Sequence, residues 1–106
     1  MYSIEYYIDS SGNSPFEEWL DGLTDVQAQA RVSARLIRLE NGNFGDCKPI
    51  NDGVWELRID WGPGYRVYYA LARDHAVLLC AGGDKRTQSA DVKRAIERWR
   101  NWQRRR

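Results

Sequence analysis

Three strand-like segments follow one another between residues 54 and 81, and the short turns between them restrict the fold more than any other feature. Residues 54–60 and 65–72 place apolar side chains at alternate positions, as in a β-strand with one buried face. Residues 76–81 are apolar throughout, which is typical of a strand covered on both faces or nearly so. Strands joined by turns this short pair antiparallel, so the sequence predicts an antiparallel meander.

Helical patterns and one further strand flank this meander. Residues 2–8 predict a strand, and residues 43–53, rich in Gly, Asn, Asp and Pro, predict a loop. Capping boxes predict one helix from Ser14 to Gly22 and a second from Thr24 to about Glu40, and apolar spacing predicts a third over 88–102. The order is β-α-α-β-β-β-α, which indicates an α+β fold with its helices on one face of a small antiparallel sheet. At 106 residues, we expect a single domain over 1–106.

Composition and spacing exclude several functional classes. The longest apolar stretches have six residues, far fewer than the ~18 that a membrane span needs, and the first residues do not have a signal-peptide pattern, so we expect a cytoplasmic protein. Cys47 and Cys80 are then expected to be free thiols. His75 is the single histidine and has no cysteine at ligand spacing, so we expect no metal site and no cofactor.

Charge is distributed unevenly along the chain, although the net charge is only +1. Residues 84–106 carry nine Lys or Arg against three Asp or Glu, whereas residues 1–83 carry seven against twelve. Such a basic end indicates either a polyanionic partner or a solvated helix with an arginine tail. Charge alone favours the solvated helix.

A cluster of cations is the strongest chemical signal in the sequence. Alternation in the strands, together with the position just after the last strand, predicts that one exposed sheet face and its edge carry Glu56, Arg58, Arg66, Tyr68, Lys85 and Arg86. Such a cluster suits a phosphodiester, because guanidinium groups donate paired hydrogen bonds to phosphate oxygens and stabilise developing negative charge. The alternative is an ordinary polar sheet face in which Arg58 pairs with Glu56 or Asp60.

The motifs of the meander resemble those of the RelE/ParE superfamily of bacterial type II toxin–antitoxin toxins, and most closely its phage-derived, HigB-like branch of addiction-module killer proteins. The resemblance covers nearly the whole chain, includes the predicted order of elements, and is carried by residues 55–60, Gly62-Pro63-Gly64-Tyr65-Arg66-Val67-Tyr68-Tyr69, Leu78-Leu79, Gly82-Gly83-Asp84-Lys85, Gln88 and Asp91. It implies a small antiparallel sheet packed on a helical hairpin.

In RelE-like members the activity is an endoribonuclease that cuts mRNA on the ribosome, using the substrate's own 2′-hydroxyl as nucleophile without a metal. The resemblance assigns the phosphate-stabilising arginine to Arg66, a strand cation to Arg58 and the cation after the last strand to Lys85 or Arg86. Glu56 stands where RelE has a lysine. It is either the general base or a counter-charge to Arg58, and Tyr68 is a candidate to help position a base.

Further RNA contacts are expected from Gln88 and Arg86 and from a stripe on the second helix formed by Arg31, Arg35 and Arg38, which is alternatively a solvated helix face. The resemblance implies a cognate antitoxin, of the helix-turn-helix DNA-binding type, in a hetero-oligomer with this chain. The ribosome and mRNA are the other implied partners, and no membrane is involved.

Two other functions remain open at this point. A ParE-like protein of the same fold would inhibit DNA gyrase by binding, without cleaving RNA, but ParE relatives generally lack the full basic set. A non-catalytic antitoxin-binding relative is the other alternative, favoured by the glutamate at position 56.

Overall fold

The computed structural model describes residues 1–105, which form one five-stranded sheet and three α-helices. The α+β class predicted from the sequence is confirmed. Along the chain the elements are β1 (Ser3–Tyr6), α1 (Pro15–Asp21), α2 (Val26–Glu40), β2 (Cys47–Asn51), β3 (Val54–Ile59), β4 (Tyr65–Arg73), β5 (Ala76–Asp84), a 3-10 turn (Lys85–Thr87) and α3 (Gln88–Arg104).

The sheet has the strand order β1-β5-β4-β3-β2, and it differs from the prediction at both edges. The predicted loop over 43–53 contains β2, which pairs antiparallel with β3 at the edge of the sheet. Pro49 is tolerated there because an edge strand needs hydrogen-bond donors on one side only, and the register shifts next to it. At the opposite edge β1 pairs in parallel with β5, so the sheet is mixed rather than purely antiparallel.

The helices cover both faces of the sheet, which corrects the expectation of a single helical face. The hairpin of α1 and α2 packs on one face, where Leu57, Val67 and Leu79 are buried. Helix α3 packs on the other face and buries Tyr68 and Cys80. The reason lies in the apolar run of β5, whose alternate side chains point to opposite faces and need a cover on each.

The predicted alternation of the meander is correct. In β3 and β4, Leu57, Ile59 and Val67 face the α1/α2 hairpin, whereas Glu56, Arg58, Arg66 and Tyr68 point to the α3 face. The smaller apolar residues Val54 and Ala70 lie on the α3 face as well. Helix α3 covers much of that second face, so it is less exposed than the sequence suggested.

The end of β5 also differs from the prediction, which closed the strand at Gly82-Gly83. The strand continues to Asp84, and Gly82 and Gly83 pair with Val67 and Arg66 of β4. A Cβ at Gly82 would overlap the indole of Trp19 on one face, and a Cβ at Gly83 would overlap the carboxylate of Asp91 on the other. These two glycines therefore allow α1 and α3 to approach the strand closely.

Local features agree with the sequence in most places. Helix α1 begins at Pro15 and is followed by Gly22, as predicted. Helix α2 is capped by Asp25 rather than Thr24, because the Asp25 carboxylate accepts a hydrogen bond from the Gln27 amide. Cys47 and Cys80 are free, as expected. Within residues 1–105 no helix is both long enough and apolar enough to span a bilayer.

Candidate active site

Three cations predicted from the sequence line one groove on the α3 side of the sheet. The groove has a volume of about 530 Å³, and Arg58, Arg66 and Lys85 contribute to its wall together with the loop after β3. Arg58 and Arg66 are directly opposed across β3 and β4, and Lys85 follows immediately after β5. The sheet register therefore brings together residues that lie up to 27 positions apart in the sequence.

Arg66 is held in place by two contacts, and its side chain is only 14% exposed. Its Nε lies 3.4 Å from Oε2 of Glu56, and its Nη1 donates a hydrogen bond to the Gly64 carbonyl at 3.1 Å. Gly64 has φ +82°, a conformation in which glycine avoids the strain of a side chain. The turn and the buried carboxylate therefore orient the guanidinium at the groove wall.

Arg58 is more exposed, at 40% of its side chain, and is partly neutralised. Its Nη2 lies 2.9 Å from Oδ1 of Asp46, and its backbone amide donates to the Asp46 carbonyl. The hydrogen bond to Asp46 and the negative charge of that carboxylate raise the pKa of Arg58. Arg58 is thus a fixed cation at the groove, and its Nη2 is already paired with Asp46.

Lys85 is exposed and has no ion pair or side-chain hydrogen bond with any residue of 1–105. The turn that carries it is rigidly capped, because the Asp84 side chain accepts a hydrogen bond from the Arg86 amide and the Thr87 hydroxyl interacts with the Asp84 backbone. The Thr87 hydroxyl also donates to the buried carboxylate of Asp91. Lys85 is therefore a cation without a counter-ion among residues 1–105, on a turn whose backbone is fixed by hydrogen bonds.

Arg86 does not join the groove, although it neighbours Lys85. Its Nη2 lies 2.8 Å from Oδ2 of Asp84, and its side chain is 81% exposed. Hydrogen bonding from Arg86 lowers the pKa of Asp84. The four cations expected to converge are therefore three at the groove and one paired beside it.

Glu56 and Tyr68 are opposite each other in the register, and both are fully buried. Oε2 of Glu56 accepts a hydrogen bond from Nε2 of Gln88 at 2.8 Å, so the half-buried side chain of the predicted RNA-binding Gln88 is directed toward the core. Burial, followed by the negative charge of Glu56, raises the pKa of the Tyr68 phenol. Neither Glu56 nor Tyr68 lines the groove, so substrate at the groove does not meet them directly.

The arginines of α2 have three different environments. Arg35 donates hydrogen bonds to the carbonyls of Arg58, Phe44 and Asp46, so it joins α2 to the sheet edge. Arg31 places its guanidinium 3.9 Å above the ring of Trp61. Arg38 is exposed and makes no hydrogen bond or ion pair through its side chain within residues 1–105.

Sequence reasoning missed three charged residues around the groove. Asp46 and Asp60 line it, and Lys48 lies opposite Glu56 in the β2–β3 register, with its Nζ 4.0 Å from Oε1 of Glu56. Local sequence does not indicate Lys48 or Asp46, because residues 43–53 have the composition of a loop. Asp60 had been considered only as a partner for Arg58, but Arg58 pairs with Asp46 instead.

The basic end of the chain is largely tied to the fold. Arg98 donates to the Cys80 carbonyl, Arg100 pairs with Asp52, and Arg105 donates to the Ile8 carbonyl and the Tyr7 hydroxyl. These contacts give three arginines of the basic segment a structural role, and the choice between a polyanionic partner and a solvated helix stays open. Arg106 lies outside the described residues.

Comparison with known proteins identifies relatives over most of the chain. A Haemophilus influenzae protein described as "Uncharacterized protein" is 51% identical over 80 residues, which cover 76% of this chain and 81% of that relative. Residues 18–100 match the family described as "Phage derived protein Gp49-like". The narrower HigB-like assignment stays a prediction. The chain belongs to the phage-derived Gp49-like family, which is associated with toxin–antitoxin modules and related to RelE/ParE-type toxins.

Proposed function

We propose that this protein is the toxin of a type II toxin–antitoxin module and acts as a metal-independent endoribonuclease on mRNA. The observation that carries the proposal is the groove lined by Arg58, Arg66 and Lys85. Three cations around one cavity suit a phosphodiester, whose transition state gains negative charge on its non-bridging oxygens. The toxin–antitoxin association of the family supports the biological setting.

The proposed reaction uses the RNA's own 2′-hydroxyl as the nucleophile. Its oxygen forms a bond to the adjacent phosphorus while the bond from phosphorus to the 5′-oxygen of the next nucleotide breaks. The products are a 2′,3′-cyclic phosphate and a 5′-hydroxyl. A base takes the proton of the 2′-hydroxyl and an acid supplies one to the leaving oxygen, so the reaction consumes no other reagent.

Each groove residue has an assigned part in this step. Arg66 and Arg58 stabilise the charge on the phosphoryl oxygens, and Lys85 is the proton donor to the leaving oxygen because it is the groove cation without a counter-ion among residues 1–105. We assign the base to Asp60, whose exposed carboxylate lines the groove and has no hydrogen-bond or ion-pair partner within the same residues.

Glu56 has a different role in this proposal from the one expected of a base. It is fully buried and lies beside Arg66, so it acts as a positioning residue for that guanidinium. Gln88 supports Glu56 through its amide, and Tyr68 fills the same buried layer. None of the three is assigned a contact with RNA.

The proposed partners follow from this activity and from the family. We propose that the substrate is mRNA on the ribosome in the cytoplasm, and that a helix-turn-helix antitoxin neutralises the protein in a hetero-oligomer. The toxin–antitoxin association of the family supports the antitoxin partner.

The test compares two neighbouring lysine and arginine variants during induction in a bacterial host, with growth recorded and mRNA 5′ ends mapped within minutes. Lys85→Ala removes a groove cation that makes no structural contact, and loss of one such transition-state donor lowers cleavage by about 10²-fold or more. Arg86→Ala is the matched control, because it removes the same charge beside the groove. We expect wild type and Arg86→Ala to produce new ends phased with the ribosome, and Lys85→Ala to produce almost none.

Other outcomes would overturn the proposal. Growth arrest by the wild type without new mRNA ends, together with a DNA-damage response, would assign the protein to the gyrase inhibitors. If soluble wild-type protein is expressed without an antitoxin and growth does not stop, the protein is a non-catalytic relative. Equal cleavage by wild type and Lys85→Ala would remove the groove from the mechanism.

A further inference from the structure

A second cationic groove adjoins the first one at the end of β3. It has a volume of about 220 Å³ and lies between α2 and the strand end, with Arg31, Arg35 and Arg38 among its lining residues. Ile59 and Asp60 line both grooves. The two cavities therefore lie on either side of these two residues at the end of the strand, one on the α3 side and the other on the α2 side.

Arg31 is preorganised at this second groove. Its guanidinium stacks on the ring of Trp61, and the Trp61 Nε1 donates a hydrogen bond to Oδ2 of Asp25 at 3.1 Å. A guanidinium that stacks through its face keeps the N–H groups at its edge free to donate to a phosphate. Asp25 offsets part of the positive charge, and it lies on the side of the indole nitrogen.

Arg38 supplies the second available cation of this groove. Its side chain is exposed and unpaired among residues 1–105. Arg35 is not available in the same way, because its nitrogens already donate to backbone carbonyls, and its burial lowers its pKa. In the second groove, Arg35 is therefore a fixed part of the wall, whereas the cations Arg31 and Arg38 face solvent.

We propose that the RNA strand cut in the first groove continues over Ile59 and Asp60 into the second, where Arg31 and Arg38 bind a phosphate of the same strand. This inference rests on the proposed function and adds a substrate subsite to it. A single strand is the occupant that fits, since its phosphates repeat along a flexible backbone and the two grooves share Ile59 and Asp60 in their walls. Asp60, between them, then lies beside the sugar at the bend rather than beside a phosphate.

The loop after β3 connects the two grooves mechanically. Trp61 lies in the same turn as Gly62, Pro63 and Gly64, which form the wall of the first groove. The contacts of Trp61 with α2 therefore fix the wall of the first groove and the cation of the second at once. A strand that engages both would be held on both sides of the scissile phosphate.

The test measures binding of uncleavable 2′-O-methyl RNA oligonucleotides of increasing length, from two to about twelve nucleotides, by fluorescence anisotropy at several salt concentrations. We expect the wild type to gain affinity with length until the strand fills both grooves. Loss of one phosphate contact to a single strand lowers the salt slope of log K by about 0.7. Arg31→Ala/Arg38→Ala removes both ligands of that one phosphate, so it should reduce the slope by about 0.7, and Arg38→Ala by a smaller amount, for long oligonucleotides only.

The matched control is Lys93→Ala/Arg104→Ala, which removes two exposed, unpaired cations from α3. It should leave the length-dependent gain intact. Three results would overturn the inference. They are equal losses of RNA affinity in the control and the α2 variants, an equal loss of affinity at every oligonucleotide length, and no binding of any RNA. The ribonuclease proposal is judged separately by mRNA ends in cells, so either can fail while the other stands.

Discussion

The two faces of the sheet are built from the same strands but differ in their chemistry. On the hairpin face the buried side chains are apolar or aromatic, with Leu57 and Val67 at its centre. On the α3 face lie Glu56 and Asp91, which are the buried charged residues of the described chain. Period-two alternation alone separates the two, because Glu56 and Leu57 are neighbours in β3.

This difference shows how a small domain keeps a rigid core and a charged groove within a few ångströms of each other. The hairpin face supplies stability through apolar burial, whereas the α3 face holds its charges in pairs and networks that orient Arg66. Helix α3 covers the apolar end of that face and leaves the end with Arg58 and Arg66 open. The predictions below test whether the two faces are separable in function.

The largest expected effect on stability is that of Arg66→Ala. Removing one partner of a buried ion pair costs about 3–5 kcal/mol, because the carboxylate of Glu56 then stays buried with weaker compensation. Urea unfolding measures the loss. The double variant Glu56→Gln/Arg66→Met should recover most of that stability and still fail to cleave mRNA; recovery of cleavage in the double variant would show that Arg66 only supports the fold.

Leu57→Ala should give a loss of comparable size on the opposite face. Leu57 is fully buried, and truncation of such a leucine costs about 2–5 kcal/mol. At temperatures below the unfolding midpoint of the variant, its folded molecules should cleave mRNA at the wild-type rate, since Leu57 faces away from the groove. A fall in cleavage larger than the fall in folded protein would contradict the independence of the two faces.

The glycine pair at the end of β5 offers a sharper version of the same comparison. Gly82→Ala would displace Trp19 on the hairpin face, and Gly83→Ala would displace Asp91 and Thr87 on the α3 face. Each is expected to cost about 1–3 kcal/mol as overpacking. Only Gly83→Ala should also reduce cleavage, because Thr87 and Asp91 support the turn that carries Lys85. Loss of cleavage by Gly82→Ala at full folding would argue against this division.

The smallest expected effect is on alkaline stability, and it involves one tyrosine from each face. Burial raises the pKa of Tyr68 and of Tyr69 above the ordinary value near 10. The unfolded chain releases those protons first, so stability is retained below pH 10 and falls as the pH rises above it, by about 1.4 kcal/mol per pH unit for each tyrosine.

Urea unfolding between pH 8 and about 11 measures this loss. Tyr68→Phe and Tyr69→Phe should each remove one tyrosine's share of it. At neutral pH Tyr68→Phe should change the free energy of unfolding by about 1 kcal/mol or less, because the buried Tyr68 hydroxyl lies near Glu56 without a well-formed hydrogen bond. An unchanged alkaline slope in both variants would show that these phenols do not titrate differently in the folded state.

The sequence was sufficient for the alternation, and therefore for the side of the sheet on which Arg58 and Arg66 lie. It was insufficient where long-range pairing decides the structure. Edge strand β2 contains Pro49 and is flanked by turn-forming residues, so local propensity indicated a loop. The position of α3 could be predicted in part, because the apolar side chains of β5 point to both faces of the sheet and each face must then be packed against a helix.

The site shows the same division between local and long-range information. Lys85 and Arg86 are equivalent as a pattern, but the hydrogen bonds of Asp84 direct Arg86 away from the groove and leave Lys85 at its wall. Likewise, the burial of Glu56 depends on contacts with Arg66 and Gln88, which are 10 and 32 residues away in sequence. Such contacts follow from packing and not from the motif.

The most direct test of the central claim is cleavage of a ribosome-bound mRNA that carries a single 2′-deoxynucleotide at a position cut in cells. We predict that the all-ribose mRNA is cut by the wild type to a 2′,3′-cyclic phosphate and a 5′-hydroxyl, and that the 2′-deoxy mRNA stays intact at that position. Cleavage of the 2′-deoxy mRNA, or 5′-phosphate ends on the normal one, would contradict attack by the 2′-hydroxyl in the groove of Arg58, Arg66 and Lys85.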